Sequence, residues 1–200
     1  MKNILHIISS PRGEASYSIR LANGIIERLQ ATYPGSVVTV HNLISDPIPH
    51  LQDLHIQAFF TPDEQWSTEV AAAARISADA IAALQAADII VIGVPFYNFS
   101  IHSSLKAWLD QVVRRGITFQ YTENGPEGLL TGKKVYLASA SGGVYSEGPM
   151  KVYDFSVPYL QAVLGMIGLT DITVVRAEGT AIPQLQETAL EKGLGSLVIS

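Results

Sequence analysis

The sequence predicts an α/β protein: a three-layer, doubly wound sheet of five parallel strands forming a single domain over residues 1–200. Three observations carry this expectation. Five short apolar runs alternate with segments of helical periodicity, and parallel neighbours in one sheet require such crossover connections. One run, Asp88-Ile89-Ile90-Val91-Ile92-Gly93-Val94, is apolar on both faces, as a central parallel strand must be. The 200 residues are 48% hydrophobic and 16% charged, enough to bury one large core, and no linker rich in Pro, Gly and Ser divides them.

Taken in order, Ile4 to Ile8 reads as the first strand. A helix follows from about Ser18 to Tyr33, with Ile19, Ala22, Ile26 and Leu29 on one face. Ser36 to Asn42 alternates and is β-branched, which marks the second strand. A long connection, Leu43 to Pro62, carries Pro47, Pro49, Phe59 and Phe60. Connections of this length are often functional, so it is expected to reach across a dimer, with a plain surface crossover as the alternative. Thr61 or Asp63 opens an alanine-rich helix to about Ala86, and the central strand over 88–94 comes next. Ser103 or Ser104 then caps a helix with Leu105, Trp108, Leu109 and Val112 inward. Arg114-Arg115-Gly116 is expected to end it, cations in the last turn and glycine at the cap. Val135 to Ser139 is the fourth strand, Tyr153 to Ile167 a helix and Asp171 to Ala177 the fifth strand. A helix from about Gln184 closes the chain, weakened by Gly193 and Gly195.

Two strand orders are common for such a sheet. The Rossmann order calls for G-x-G-x-x-G after the first strand. Here that turn is Ser9-Ser10-Pro11-Arg12-Gly13-Glu14-Ala15-Ser16-Tyr17-Ser18, rich in hydroxyls with one glycine. The flavodoxin-like order 2-1-3-4-5 is therefore expected.

Composition excludes several functions. A net charge of −5 without a Lys/Arg run offers no footprint for nucleic acid. With no cysteine there is no disulfide, thiolate nucleophile, Cys-ligated zinc or iron–sulfur cluster. His50, Asp53 and His55 have no metal-site spacing, so no metal is expected. No apolar stretch approaches the roughly 20 residues that span a bilayer, and the N-terminal run is too short for a signal segment. The expected address is the cytoplasm.

In an open α/β sheet, ligands bind beyond the carboxyl ends of the strands at the switch point, which here joins the first, third and fourth strands. After the first strand, Ser9, Ser10, Ser16 and Ser18 surround a helix start, whose free N–H groups and dipole suit a monophosphate. Ordinary N-capping by Ser16 or Ser18 is the plain alternative. After the third strand, Pro95-Phe96-Tyr97-Asn98-Phe99-Ser100 offers apolar bulk and amide chemistry for a flat ring, or simply two aromatics for the core. After the fourth, Ser139-Ala140-Ser141-Gly142-Gly143 permits close backbone approach to a ring edge, or else a turn needing positive φ. Three such signals on adjacent strand ends suit a mononucleotide bearing an aromatic ring.

With these loops in hand, the chain resembles the FMN-dependent NADH azoreductases of the NAD(P)H:quinone oxidoreductase type. The resemblance runs from Ser9 to Gly179. Its most specific piece is Phe119-Gln120-Tyr121-Thr122-Glu123-Asn124-Gly125-Pro126-Glu127-Gly128-Leu129, followed by Thr131-Gly132-Lys133-Lys134. The Pro95-Phe96-Tyr97-Asn98-Phe99 turn and Leu105-Lys106-Ala107-Trp108-Leu109-Asp110 also match. It implies one non-covalent FMN per chain, held by Ser10, Ser16, Tyr17, Ser18, Phe96, Tyr97, Asn98, Phe99, Ala140, Ser141, Gly142 and Gly143. It also implies ping-pong transfer of hydride from NADH or NADPH to quinones and azo compounds, in a homodimer with flavin sites near the interface. Relatives often carry Arg where this chain has Ser141. No protein side chain is assigned as an essential acid or base. An electron carrier of the same fold is the main alternative; a flavin-free binding module is another.

Overall fold

The computed structural model describes residues 1–199, so the single-domain expectation over 1–200 extends one residue beyond it. Strands β1 (Asn3–Ile8), β2 (Val37–Asn42) and β3 (Ile89–Pro95) are joined through helices α1 (Tyr17–Thr32), α2 (Asp53–Phe60) and α3 (Thr68–Ala86). Helix α4 (Ser103–Val112) leads to a hairpin, β4 (Phe119–Thr122) and β5 (Gly125–Gly128). Then come β6 (Lys134–Ala140), α5 (Val157–Met166), β7 (Asp171–Ala177), α6 (Pro183–Gln186) and α7 (Ala189–Gly195). The parallel sheet has the order β2-β1-β3-β6-β7. Its five members stand as expected, but the hairpin, which the sequence reading did not foresee, changes their numbering.

The core has two sides because the central strands are apolar on both. Leu5, Ile7, Ile90, Ile92 and Leu137 face Leu84, Trp108, Leu109, Leu160 and Leu164 from α3, α4 and α5. Ile4, Ile89, Val91 and Ala138 face Leu21, Ile25 and Leu29 of α1, with Leu194 of α7 packed alongside. Burying these side chains is the main favourable term in folding. His6 shares the α1 side of β1. It is buried with Nε2 unpartnered, and burial holds its pKa down at about 4, so the ring is neutral.

Several segments differ from expectation. The long connection contains a helix the sequence did not suggest, α2. The next helix starts at Thr68, not Thr61 or Asp63. The Thr61 carbonyl accepts the Trp66 indole N–H at 3.0 Å, and the Ser67 hydroxyl caps the true start by accepting the Val70 N–H at 3.3 Å.

Helix α4 stops before the arginines. The Arg114 N–H turns to Thr118 Oγ1 at 2.8 Å rather than continuing the helical ladder. Its guanidinium tucks inside, 3.8 Å from the centre of the Phe59 ring and 2.9 Å from Ser77 Oγ. Arg114 is thus a buried strut between α2, α3 and α4, not a cation facing a helix end. Helix α5 begins at Val157 instead of Tyr153, since Asp154 Oδ1 accepts the N–H groups of Ser156 and Val157 at 3.1 Å each. The closing helix is broken into α6 and α7.

Candidate active site

Strands β1, β3 and β6 are neighbours, so their carboxyl ends deliver three loops to one place. Two links lock the loops together. The Ser9 hydroxyl donates to the Gly93 carbonyl at 2.8 Å, and the Phe96 N–H donates to the Ala140 carbonyl at 2.9 Å. Between them lies a cavity of about 350 Å³, within the range of small-molecule clefts. Ser10, Ser16, Tyr17, Ser18, Phe96, Tyr97, Ala140, Ser141 and Gly142, all among the expected cofactor residues, line it. Asn98, Phe99 and Gly143 stand outside that lining; Gly143 borders a neighbouring hollow with Tyr145.

One end of the cavity is built from hydroxyls. Ser10, Ser16 and Ser18 are buried there, with the oxygens of Ser16 and Ser18 3.0 Å apart. Ser16 is the N-cap of α1, accepting the Ile19 N–H at a long 3.5 Å. Capping and ligand binding are therefore not exclusive readings of this serine. The first N–H groups of a helix lack intrahelical acceptors, and the helix dipole favours an anion there. Arg12 adds a cation, and no carboxylate is among the lining side chains.

Phe96 and Tyr97 bring aromatic rings to the cavity from a tight turn after β3. Tyr97 and Ser100 exchange backbone hydrogen bonds of 3.0 and 2.9 Å across Asn98 and Phe99. Both central residues have positive φ, 49° and 67°. A two-residue turn of this kind favours glycine at its second position, so Phe99 holds a strained conformation that surrounding contacts must maintain. The Phe99 carbonyl accepts the Phe155 N–H at 3.1 Å, and its ring lies 5.2 Å from that of Tyr153. Phe96 packs 4.4 Å from Tyr145. Neither Gly142 nor Gly143 has positive φ. At Gly143 the constraint is space: a Cβ would lie 3.1 Å from the Tyr145 ring.

Pro95 of the third-strand loop also lines the cavity, as do Arg12, Thr180, Ala181 and Gln186, which the sequence reading did not assign. Arg12 carried a signal, as the sole cation in a serine-rich turn. Gln186 comes from α6, and Thr180 and Ala181 from the loop after β7, which continues the pairing: they donate backbone N–H bonds to the Ser141 and Gly142 carbonyls at 3.1 and 3.0 Å.

His102, not Ser103 or Ser104, caps α4, its Nδ1 accepting the Ser104 N–H at 3.2 Å, with its ring 5.8 Å from Tyr97. Tyr121 is exposed on the hairpin, against Phe119 and Arg115. A roomier hollow of about 500 Å³ lies between β2 and α3, lined in part by Val40, His41 and Asp79, but it is away from the switch point. Among the described residues no three metal-ligating side chains come together, and no helix is long and apolar enough to cross a membrane.

This sheet order, with serines at a helix start and an aromatic turn beside a glycine pair, defines a flavodoxin-like protein. The chain belongs to the family described as having the flavodoxin-like fold, whose model matches residues 2–198. It is 50% identical over 182 residues to an FMN-dependent NADH:quinone oxidoreductase of Herminiimonas arsenicoxydans, covering 91% of this chain and 89% of that protein. It is 48% identical over 191 residues to FMN-dependent NADH:quinone oxidoreductase 1 of Rhizobium etli, covering 95% and 93%. Among solved structures it is similar to an azoreductase from Bacillus anthracis strain Sterne (TM-score 0.90, 29% identity, 98% and 96% covered). An FMN-dependent NADH-azoreductase from Bacillus anthracis strain Ames Ancestor, solved in complex with FMN, superimposes with a TM-score of 0.87 at 26% identity over 98% and 97%. The family resemblance read from the sequence stands.

Proposed function

We propose that this chain is an FMN-dependent oxidoreductase that takes hydride from NADH or NADPH and delivers it to quinones and azo compounds. The single observation that carries this reading is the two-ended cavity: buried hydroxyls at a helix start opposite an aromatic turn and a glycine-flanked strand end, with no carboxylate in the lining. That donor set fits a phosphate at one end and a flat ring at the other.

Ser10, Ser16, Tyr17 and Ser18 would hold the phosphate with the free N–H groups of α1, and Arg12 would add charge. Phe96, Tyr97, Asn98 and Phe99 would shape one wall of the ring site, and the backbone from Ala140 to Gly143 would serve its polar edge. Bound FMN supplies the two-electron redox chemistry; the chain supplies position and shelter from water. Donor and acceptor use the same open face in turn, as in a ping-pong cycle. An azo bond takes two such cycles to reach a pair of amines.

The enzyme works as one domain in the cytoplasm and as a homodimer whose partner completes each pocket. Phe60, Val152 and Phe155 are large apolar side chains left exposed on a single chain, which burial against a partner would cover, and the interface belongs in or above the ~1,600 Å² class. Denaturing the purified protein and identifying the released flavin tests the cofactor, and steady-state NADH oxidation with a quinone tests turnover. FMN with quinone-dependent oxidation is expected. Released FAD, or FMN without turnover, would contradict the reading, the latter in favour of an electron carrier.

A further inference from the structure

A second group of charged side chains stands where β7 ends, and the reading above does not use it. Glu178 follows β7 directly. Its Oε1 accepts the backbone N–H groups of Tyr145 and Ser146 at 2.8 and 2.9 Å, and its Oε2 accepts the Ser146 hydroxyl. Arg176 lies between two carboxylates, with Nη1 3.4 Å from Glu178 and Nη2 2.7 Å from Asp154. Asp154 is buried and caps α5 through Ser156 and Val157. The segment between Gly143 and α5 is thus pinned near both ends to one strand.

What the pinned segment carries is aromatic. Tyr145 packs 4.4 Å from Phe96 and 6.2 Å from Phe99, and Tyr153 packs 5.2 Å from Phe99. Phe96 lines the strand-end cavity, and Phe99 holds the left-handed position of the turn. We infer that Glu178 is a positioning residue for the ring end of the site, acting through Tyr145 on Phe96; the inference rests on the FMN reading. A carboxylate taking three donors from two consecutive residues fixes the Tyr145 main chain, and the ring has little freedom once its main chain is fixed. Against the Tyr145 ring stands Gly143, where even a methyl group would be crowded. Glu178 makes these bonds only to the segment that backs the ring site, none to the phosphate end.

The test is a titration of flavin-free protein with FMN and with riboflavin, which share the ring and differ in the phosphate. Glu178→Ala is expected to weaken both ligands by the same factor, about tenfold, the order expected when a hydrogen-bonded anchor is lost. Glu178→Gln keeps an acceptor for the N–H groups and stays close to wild type. Tyr145→Ala reproduces the Glu178→Ala loss, and the double variant is no worse than either single one. Without any flavin, the Tyr145 and Ser146 amides exchange faster in Glu178→Ala. Wild-type binding of both flavins by Glu178→Ala, loss of FMN alone, or multiplied losses in the double variant would each overturn the assignment. If Glu178→Ala is too unstable to titrate, Tyr145→Ala decides, and wild-type affinity there would overturn it. Wild-type protein that binds neither flavin would instead overturn the FMN reading itself.

Discussion

The two ends of the strand-end cavity are held in different ways. At the hydroxyl end, Ser10, Ser16 and Ser18 lie within nine residues of one another, and the start of α1 orients Ser16 and Ser18. At the aromatic end, Phe96 and Phe99 depend on Tyr145 and Tyr153, about fifty residues away in the chain. Those in turn depend on Asp154, Arg176 and Glu178. A local device is legible and self-sufficient; a long-range one has to be assembled by the whole fold. The ends should therefore fail separately.

The largest separation is expected from Ser16→Ala combined with Ser18→Ala. Hydrogen bonds to a charged phosphate contribute about 1.5–3 kcal/mol each, so FMN affinity should fall at least a hundredfold. Riboflavin affinity should hardly change, and isothermal titration with the two flavins reads the difference. Equal losses for both ligands would remove the phosphate from this end.

Acid probes the supports beneath each end. The folded His6 titrates at about 4 instead of 6.5, so only the unfolded chain takes up a proton between those values. The stability it leaves intact above pH 6.5 is lost as the pH falls toward 4, by up to about 3 kcal/mol at roughly 1.4 kcal/mol per unit. Asp154 responds later. Burial alone would raise its pKa, but hydrogen bonds from Arg176, Val157 and Ser156 and the Arg176 charge outweigh that and hold it low. Its stabilising effect is complete above the ordinary carboxylate range and disappears only as the pH falls through the lowered value. Denaturant midpoints measured from pH 7 to 4 should therefore decline in wild type and flatten in His6→Val. An unchanged slope in that variant would exonerate His6.

A smaller effect is expected at the aromatic end. Gly143→Val forces a branched side chain against the Tyr145 ring, an overpacking that costs about 1–3 kcal/mol. FMN and riboflavin should weaken alike, about 10- to 100-fold, with secondary structure by circular dichroism intact. A fully flavin-loaded, active variant would show that the Gly143 region does not shape the ring site.

The same contrast explains what could be read in advance. The five strands of the sheet and the serines before α1 were legible because strand runs and a serine N-cap are local patterns. The hairpin was not: Gly125-Pro126-Glu127-Gly128 lacks β-branched residues, and Gly128 fits there because its backbone meets that of Gly168, where a Cβ would have no room. Arg114 misled because a cation before a glycine suits a helix end, whereas its burial over Phe59 depends on two distant helices. Thr180, Ala181 and Gln186 were missed because β7 brings them beside β6, a neighbour relation no local pattern encodes. Glu178 was missed for the same reason, since a single glutamate after a strand has no signature of its own.

The central claim is one flavin mononucleotide lying across three strand ends. A crystal structure of the protein with FMN tests it most directly. The phosphate is expected on Ser10 and Ser16 to Ser18 at the start of α1. The ring is expected between the Phe96–Phe99 turn and the backbone of Ala140 to Gly143. A flavin bound in the reverse sense, or in the hollow between β2 and α3, would contradict it.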